Sequence, residues 1–148
     1  MPGFSISRRI AAPRERVFKV FTDFANADQN IRGISRLELL TGETIGVGTR
    51  FRETREMFGK EAVEELEITA FEAPSRYVVE AESHGCHYVT TFELADQGSS
   101  TDLTMSFEGH AQTLFSKLMT PLAWLMRDAT RKIIEADLDD LQKICEAG

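Results

Sequence analysis

Glu53, Arg55 and Glu64 are the side chains whose types and spacing best suit chemistry. Glu53 and Arg55 stand two residues apart, so on an extended strand they share a face. Glu64 follows them beyond Gly59-Lys60. If Gly59-Lys60 is a two-residue hairpin turn with Gly first, Phe58 pairs with Glu61 and Arg55 faces Glu64. Glu53 then faces Leu66, and Phe51 faces Ile68. A guanidinium between carboxylates on an apolar face has two uses. It can anchor the polar end of a ligand inside a pocket. Alternatively, a carboxyl whose proton is held more tightly by burial can act as general acid or base, with Glu64 or Glu53 in that role. The plainer alternative is a partly wet structural ion pair near the open end of the hairpin. Tyr77 and Tyr88 add hydroxyls that could donate to a ligand carbonyl, or that belong to core aromatics and find partners within the protein.

Other reactive residue types point nowhere in particular. His84, Cys86 and His87 straddle a tight turn, so their side chains diverge, and His110 is a third imidazole at the far end of its strand. No metal site is expected from them. No Gly-x-Ser-x-Gly elbow occurs, and nothing fixes a base beside Cys86. Gly46-Val47-Gly48 is too short for a dinucleotide fingerprint, so no cofactor is expected. Met105, Met119 and Met126 read as core fillers of a kind that also suits pockets for varied ligands. Trp124 sits off the main stripe of its helix, where it packs on a loop or covers a cavity mouth.

Positioning these residues requires strands. Phe4, Ile6, Arg8 and Ile10 alternate with polar residues in a short first strand. Pro13 then suits a first helical position, and Val17, Val20, Phe21 and Phe24 make a helical stripe. Ala25 to Arg32 continues as a short helix or loop. From Gly33 on, turn signals recur at Gly42 to Gly48, Gly59-Lys60, Ala73-Pro74-Ser75, His84-Gly85 and Asp96 to Ser100, the spacing of an antiparallel meander. Lys60 to Phe71 is rich in helix formers, yet Ala62, Leu66 and Ile68 on one parity favour a strand. If His84-Gly85 is the loop of the next hairpin, Ala81 pairs with Tyr88, Val79 with Thr90, and Tyr77 with Phe92. His87 then falls opposite Glu82 on the outer face. Phe51, Glu53, Arg55, Met57, Ala62, Glu64 and Leu66 share the inner side with those six residues, and Leu103, Met105 and Phe107 extend it. Arg50, Arg52, Thr54, Glu65, Glu67 and Thr69 form a solvated outer side. Phe115, Leu118, Met119, Leu122, Met126, Ala129 and Ile133 begin a helical stripe that runs on through Ile134, Leu138, Leu141 and Cys145, with a kink or restart at Thr120-Pro121. A helix that long must bury its stripe, and the sheet is the surface large enough.

The bulk properties agree with one α+β domain over residues 1–148. At 148 residues the chain can bury a sizeable core without disulfides or metals. A net charge of −7 disfavours nucleic acid as a partner. The two cysteines, Cys86 and Cys145, do not make a secreted framework and read as reduced thiols. Met1 to Arg9 lacks the apolar stretch of a signal peptide, and no apolar run is long enough for a transmembrane segment, so a cytoplasmic location is expected.

Several segments together resemble the START/Bet v 1-like superfamily, and within it the bacterial polyketide cyclase/dehydrase-like proteins. They are Ile10-Ala11-Ala12-Pro13-Arg14-Glu15-Arg16-Val17-Phe18, Val47-Gly48-Thr49-Arg50-Phe51, Ile68-Thr69-Ala70-Phe71-Glu72-Ala73-Pro74-Ser75-Arg76, and Asp137-Leu138-Asp139-Asp140-Leu141-Gln142-Lys143. The resemblance implies a helix-grip fold, a curved antiparallel seven-stranded sheet around a long C-terminal helix with a cavity between them. It implies no catalytic residue, since the fold hosts binders, lipid carriers and enzymes alike. The expected function is binding of an apolar or amphipathic small molecule such as a lipid, quinone or polyketide-like compound. Phe51, Glu53, Arg55, Glu64 and Leu66 would contact it from the first hairpin, with Arg55 pairing with Glu64 and Glu53. Tyr77, Tyr88, Thr90, Phe92, Met105 and Phe107 would contact it from the later strands, and Met126 from the helix. The alternative is a cyclase, aromatase or dehydratase that uses the acidic residues and tyrosines of that cavity. Nothing in the sequence points to a protein-interaction module beyond the versatility of the fold.

Overall fold

In a computed structural model, the described residues are 3–57, 59–83, 85–118 and 127–147. The chain runs β1 (Gly3–Ile10), α1 (Arg14–Phe21), a 3-10 turn (Phe24–Asn26), α2 (Ala27–Asn30), β2 (Ile34–Leu39), β3 (Arg50–Met57), β4 (Lys60–Glu72) and β5 (Arg76–Ser83). It continues with β6 (Cys86–Asp96), β7 (Thr101–Ala111), α3 (Leu114–Leu118) and α4 (Arg127–Ala147). The strands form one antiparallel sheet in the order β1-β7-β6-β5-β4-β3-β2. Strands β2 to β7 are a meander, and β1 closes against β7. This is the helix-grip α+β arrangement.

Lys60–Glu72 is a strand despite its helix-forming composition, because it pairs with β3 on one side and β5 on the other. Cross-strand pairing and burial of Leu66 and Ile68 outweigh a propensity difference of a few tenths of a kcal/mol per residue, on the order of the helix-propensity scale.

The β5–β6 hairpin has the expected register, with Ala81 opposite Tyr88, Val79 opposite Thr90 and Tyr77 opposite Phe92. The β3–β4 hairpin does not. Met57 pairs with Lys60, so Gly59 occupies the second loop position, as Gly85 does in the later hairpin. Both glycines have left-handed φ, 77° and 78°, which L side chains adopt at a cost. Every β3–β4 pair therefore slides by two residues: Glu53 faces Glu64, Arg55 faces Ala62, and Phe51 faces Leu66. A slide of two preserves the alternation of faces, so the inner and outer assignments hold although the partners change.

The core lies between the sheet and α1 and α4. Val17, Phe18 and Phe21 are buried on α1, Ile68, Leu103 and Met105 on the sheet, and Leu138, Leu141 and Cys145 on α4. The C-terminal end of α4 is tied to the β1–α1 junction. Arg16 donates from Nε to the Cys145 carbonyl and from Nη2 to the Ile144 carbonyl, both at 2.8 Å. The Ala11 N–H donates to Glu146 at 2.9 Å. The two Arg16 contacts satisfy carbonyls that a helix end leaves open. Leu118, expected on the apolar stripe, is exposed. Leu122 to Met126, Met119, the Thr120-Pro121 restart and Trp124 lie outside the described residues. Among the described residues, no helix is long and apolar enough to cross a membrane.

Candidate functional site: a cavity between sheet and helix

The concave face of the sheet and α4 enclose a cavity of about 450 Å³. Phe21 from α1, Phe24 from the 3-10 turn, Ala27 from α2 and Ile31 just after it also line it. Aromatic rings make the walls. Tyr77 stacks on Phe92 with centroids 4.5 Å apart, and Phe24 stacks on Phe51 at 4.7 Å. Tyr77 is buried, and its hydroxyl donates to the Phe21 carbonyl at 3.5 Å. Burial pushes its phenol well above the usual range, so it stays protonated. Tyr77 is a wall of the cavity with a paired hydroxyl.

The polar pole lies where β3 meets α4. Arg55 donates from Nε to Glu53 at 3.1 Å and from Nη2 to Glu53 at 3.3 Å. It also donates from Nη1 to Asp137 at 3.0 Å and from Nη2 to Asp137 at 2.6 Å. The three side chains are only 13%, 17% and 16% exposed for Arg55, Glu53 and Asp137. Burial opposes the Arg55 charge, but the hydrogen bonds and charges of Asp137 and Glu53 outweigh it and hold the guanidinium proton more tightly than usual. Burial likewise raises the Asp137 carboxyl above its ordinary value. Arg55 offsets part of that rise, and the Glu53 charge adds to it. Two carboxyl groups thus share one cation in a largely buried place.

A second polar group is Tyr88, which stacks on Phe107 at 5.6 Å. Its hydroxyl is pushed up to about 12, first by burial, then by Cys86 and the Glu64 charge. Tyr88 lines the cavity with Glu64, and its phenol keeps its proton at neutral pH.

Of the residues expected at the site, Phe51, Glu53, Arg55, Glu64, Leu66, Tyr77, Tyr88, Thr90, Phe92, Met105 and Phe107 all line the cavity. Met126 lies outside the described residues. The expected Arg55–Glu64 pair is replaced. The slide in register puts Ala62 opposite Arg55, and the guanidinium takes Asp137 from the helix instead. Asp137 is the residue that sequence reasoning missed. Its signal was its place within the apolar stripe, three residues after Ile134 and four before Leu141, where a charge must point inward. Phe4, Val20, Ile34 and Leu37 also line the cavity and were not anticipated. A smaller cleft of about 330 Å³ lies behind the pole and shares Arg55, Met57, Ile133 and Asp137 with the cavity.

The outer face is polar, as expected. Arg52 bridges Glu38 and Glu65, and Arg50 reaches Glu65. His87 lies opposite Glu82 and bonds Glu80 through Nε2 at 2.6 Å. The alternation puts Cys86 and His87 on opposite faces of β6.

Residues 1–146 match the family described as polyketide cyclase / dehydrase and lipid transport. No curated protein matches the chain. Several solved structures share the fold. A START superfamily protein from Mycobacterium smegmatis is 16% identical with a TM-score of 0.76, covering 98% of this chain and 97% of that one. The di-domain ARO/CYC protein BexL of the BE-7585A biosynthetic pathway is 16% identical with a TM-score of 0.81. It covers 99% of this chain and 50% of that one. Norcoclaurine synthase from Thalictrum flavum, in complex with dopamine and hydroxybenzaldehyde, is 20% identical with a TM-score of 0.72, covering 97% and 85%. At these identities the likeness is one of fold.

Proposed function

The chain belongs to the polyketide cyclase/dehydrase and lipid transport family, and we propose that it binds an apolar or amphipathic small molecule in the cavity between sheet and α4. The observation that carries this reading is the contrast within the cavity. Its walls are aromatic and aliphatic, and its polarity is concentrated at the Glu53–Arg55–Asp137 pole. Small-molecule sites are built this way, with apolar area for affinity and a few fixed polar groups for orientation. A volume of about 450 Å³ suits a lipid chain, a quinone or a folded polyketide-like compound. We place this activity in the cytoplasm, with Cys86 and Cys145 reduced. The test is native against denaturing mass spectrometry on protein purified from its own host. A mass excess that disappears on denaturation is expected. A chain that carries no excess and binds no member of an amphiphile panel would overturn the reading.

A second reading rests on the acidic and phenolic groups that line the cavity together, Glu64, Asp137 and Tyr88, with the Asp137 carboxyl raised above its ordinary value by burial. In it the protein would fold a flexible substrate and shuttle protons, as a cyclase or dehydratase does. Turnover that Glu64→Gln or Asp137→Asn abolishes while binding survives would favour it over simple binding.

A further inference from the structure

We infer that the cavity selects amphiphiles ending in a protonated amine over those ending in a carboxylate, an inference that rests on the binding role above and names the head group that role favours. Among the described residues, the charged side chains that line the cavity are Asp23, Glu53, Arg55, Glu64, Arg127 and Asp137. Four carboxyl groups therefore stand against two guanidinium groups.

The geometry of the pole sharpens this imbalance. Arg55 uses Nε and both terminal nitrogens on its own carboxylates. Four of its five N–H groups are so used, and only a second one on Nη1 is left. A ligand carboxylate could therefore form a bidentate pair with it only by displacing Glu53 or Asp137, which would leave a buried carboxylate without its counter-charge. Arg127 lines the cavity away from the pole, for it precedes Asp137 by ten residues on α4. That is roughly 15 Å at ~1.5 Å per residue. An ammonium needs no displacement. Each of the four carboxylate oxygens at the pole accepts one N–H from Arg55. A carboxylate oxygen has two lone-pair sites, so each can accept a second donor from a ligand. The ammonium would also bring the pole from one excess negative charge to neutrality, in surroundings where charge interactions are poorly screened.

The experiment uses three probes with one apolar tail, decylamine, decanol and decanoate, below their micellar concentrations at pH 7. Each displaces the neutral dye N-phenyl-1-naphthylamine from the wild-type protein. Decylamine is expected to displace the dye at a concentration about tenfold below decanol, with decanoate the weakest, a size typical of one partly desolvated charge contact. In Asp137→Asn, the amine's advantage over decanol should fall to about twofold, whatever happens to the affinity for decanol itself. Glu53→Gln carries the same expectation, should Asp137→Asn fail to fold by circular dichroism. Decanoate binding as tightly as decylamine would overturn the inference and leave the binding role standing. An amine preference that persists in both variants would also overturn it, since the pole would not be its source. Failure of the dye and all three probes to bind would overturn the inference and the binding role together.

Discussion

Replacing Arg55 by Met removes the only cation at the pole and keeps most of its volume. Glu53 and Asp137 would then face each other as buried like charges, without the four hydrogen bonds they now accept. Removing one partner of a fully buried ion pair costs about 3–5 kcal/mol. The side chains here retain 13–17% exposure, so water can still screen them in part. The expected loss at pH 7 is therefore about 2–3 kcal/mol, roughly 5–10 °C in Tm for a chain of this length. The loss should depend on pH, with a definite sign. In the variant the Asp137 carboxyl, which burial already raises, would lose the Arg55 contacts that offset part of that rise. A carboxyl raised in this way favours the fold below its unfolded value, near 4, and that contribution is lost as pH rises through the folded value. The deficit against wild type should thus be small at pH 4 and full at pH 7. Urea unfolding followed by circular dichroism at both pH values measures it. The double variant Arg55→Met/Asp137→Leu should recover much of the loss, because an apolar pair replaces a stranded charge. An equal deficit at the two pH values, or none at pH 7, would refute the view of the pole as a buried charge unit.

Three further outcomes are expected. Gly33→Ala puts a Cβ 3.0 Å from Arg55 Nη1 and 3.5 Å from Asp137 Oδ1, against a guanidinium held on two sides. It should lower stability by about 1 kcal/mol in urea unfolding, where an unhindered loop Gly→Ala change would raise it. His87 should titrate above 6.5 by NMR, because Glu80 hydrogen-bonds its imidazole, and Glu80→Gln should bring the value back down. Its stabilising contribution is full below the unfolded pKa and disappears as pH rises through the raised one. Arg16→Ala should cost about 1–2 kcal/mol and speed amide exchange in the last turn of α4, since it strips the hydrogen bonds from the Ile144 and Cys145 carbonyls.

Faces were legible in the sequence, while partners across elements were not. Alternation assigns each strand residue to one side of the sheet, and it survives an error of two residues in register. That is why Glu53, Arg55 and Glu64 line the cavity although the Arg55–Glu64 pair does not form. The position of glycine in the turn decides the register, and placing Gly59 second in its loop, as Gly85 is in the later hairpin, rather than first moves every β3–β4 pair by two residues. The partner of Arg55 comes from 82 residues away, which no local pattern encodes. Asp137 still left a trace as a charged residue inside an apolar stripe. The lining contributed by α1 and the 3-10 turn was hidden for another reason. Phe21 and Phe24 read equally well as core, and the difference between core and cavity wall is set by how far α4 stands from the sheet.

The same helix segment explains why that distance holds. Asp137, Leu138, Asp139, Asp140 and Leu141 alternate between arginine contacts and burial. Asp139 takes Arg8 from β1, Asp140 takes Arg32 from the turn after α2, and Asp137 takes Arg55 from β3. Leu138 and Leu141 meanwhile enter the core. The helix is thus fixed at three places around the cavity rather than pressed flat onto the sheet. The Arg8 and Arg32 ties each have one exposed partner and contribute little individually. The Arg55–Asp137 tie has both partners largely buried and forms part of the wall of both the cavity and the cleft behind it. A ligand head group that engages Asp137 therefore acts on the strongest tie of the helix, while the two rim ties keep α4 seated. Binding at the pole and docking of the helix are in this way one equilibrium, so a ligand that strengthens the pole should raise the stability of the whole chain in step with its affinity.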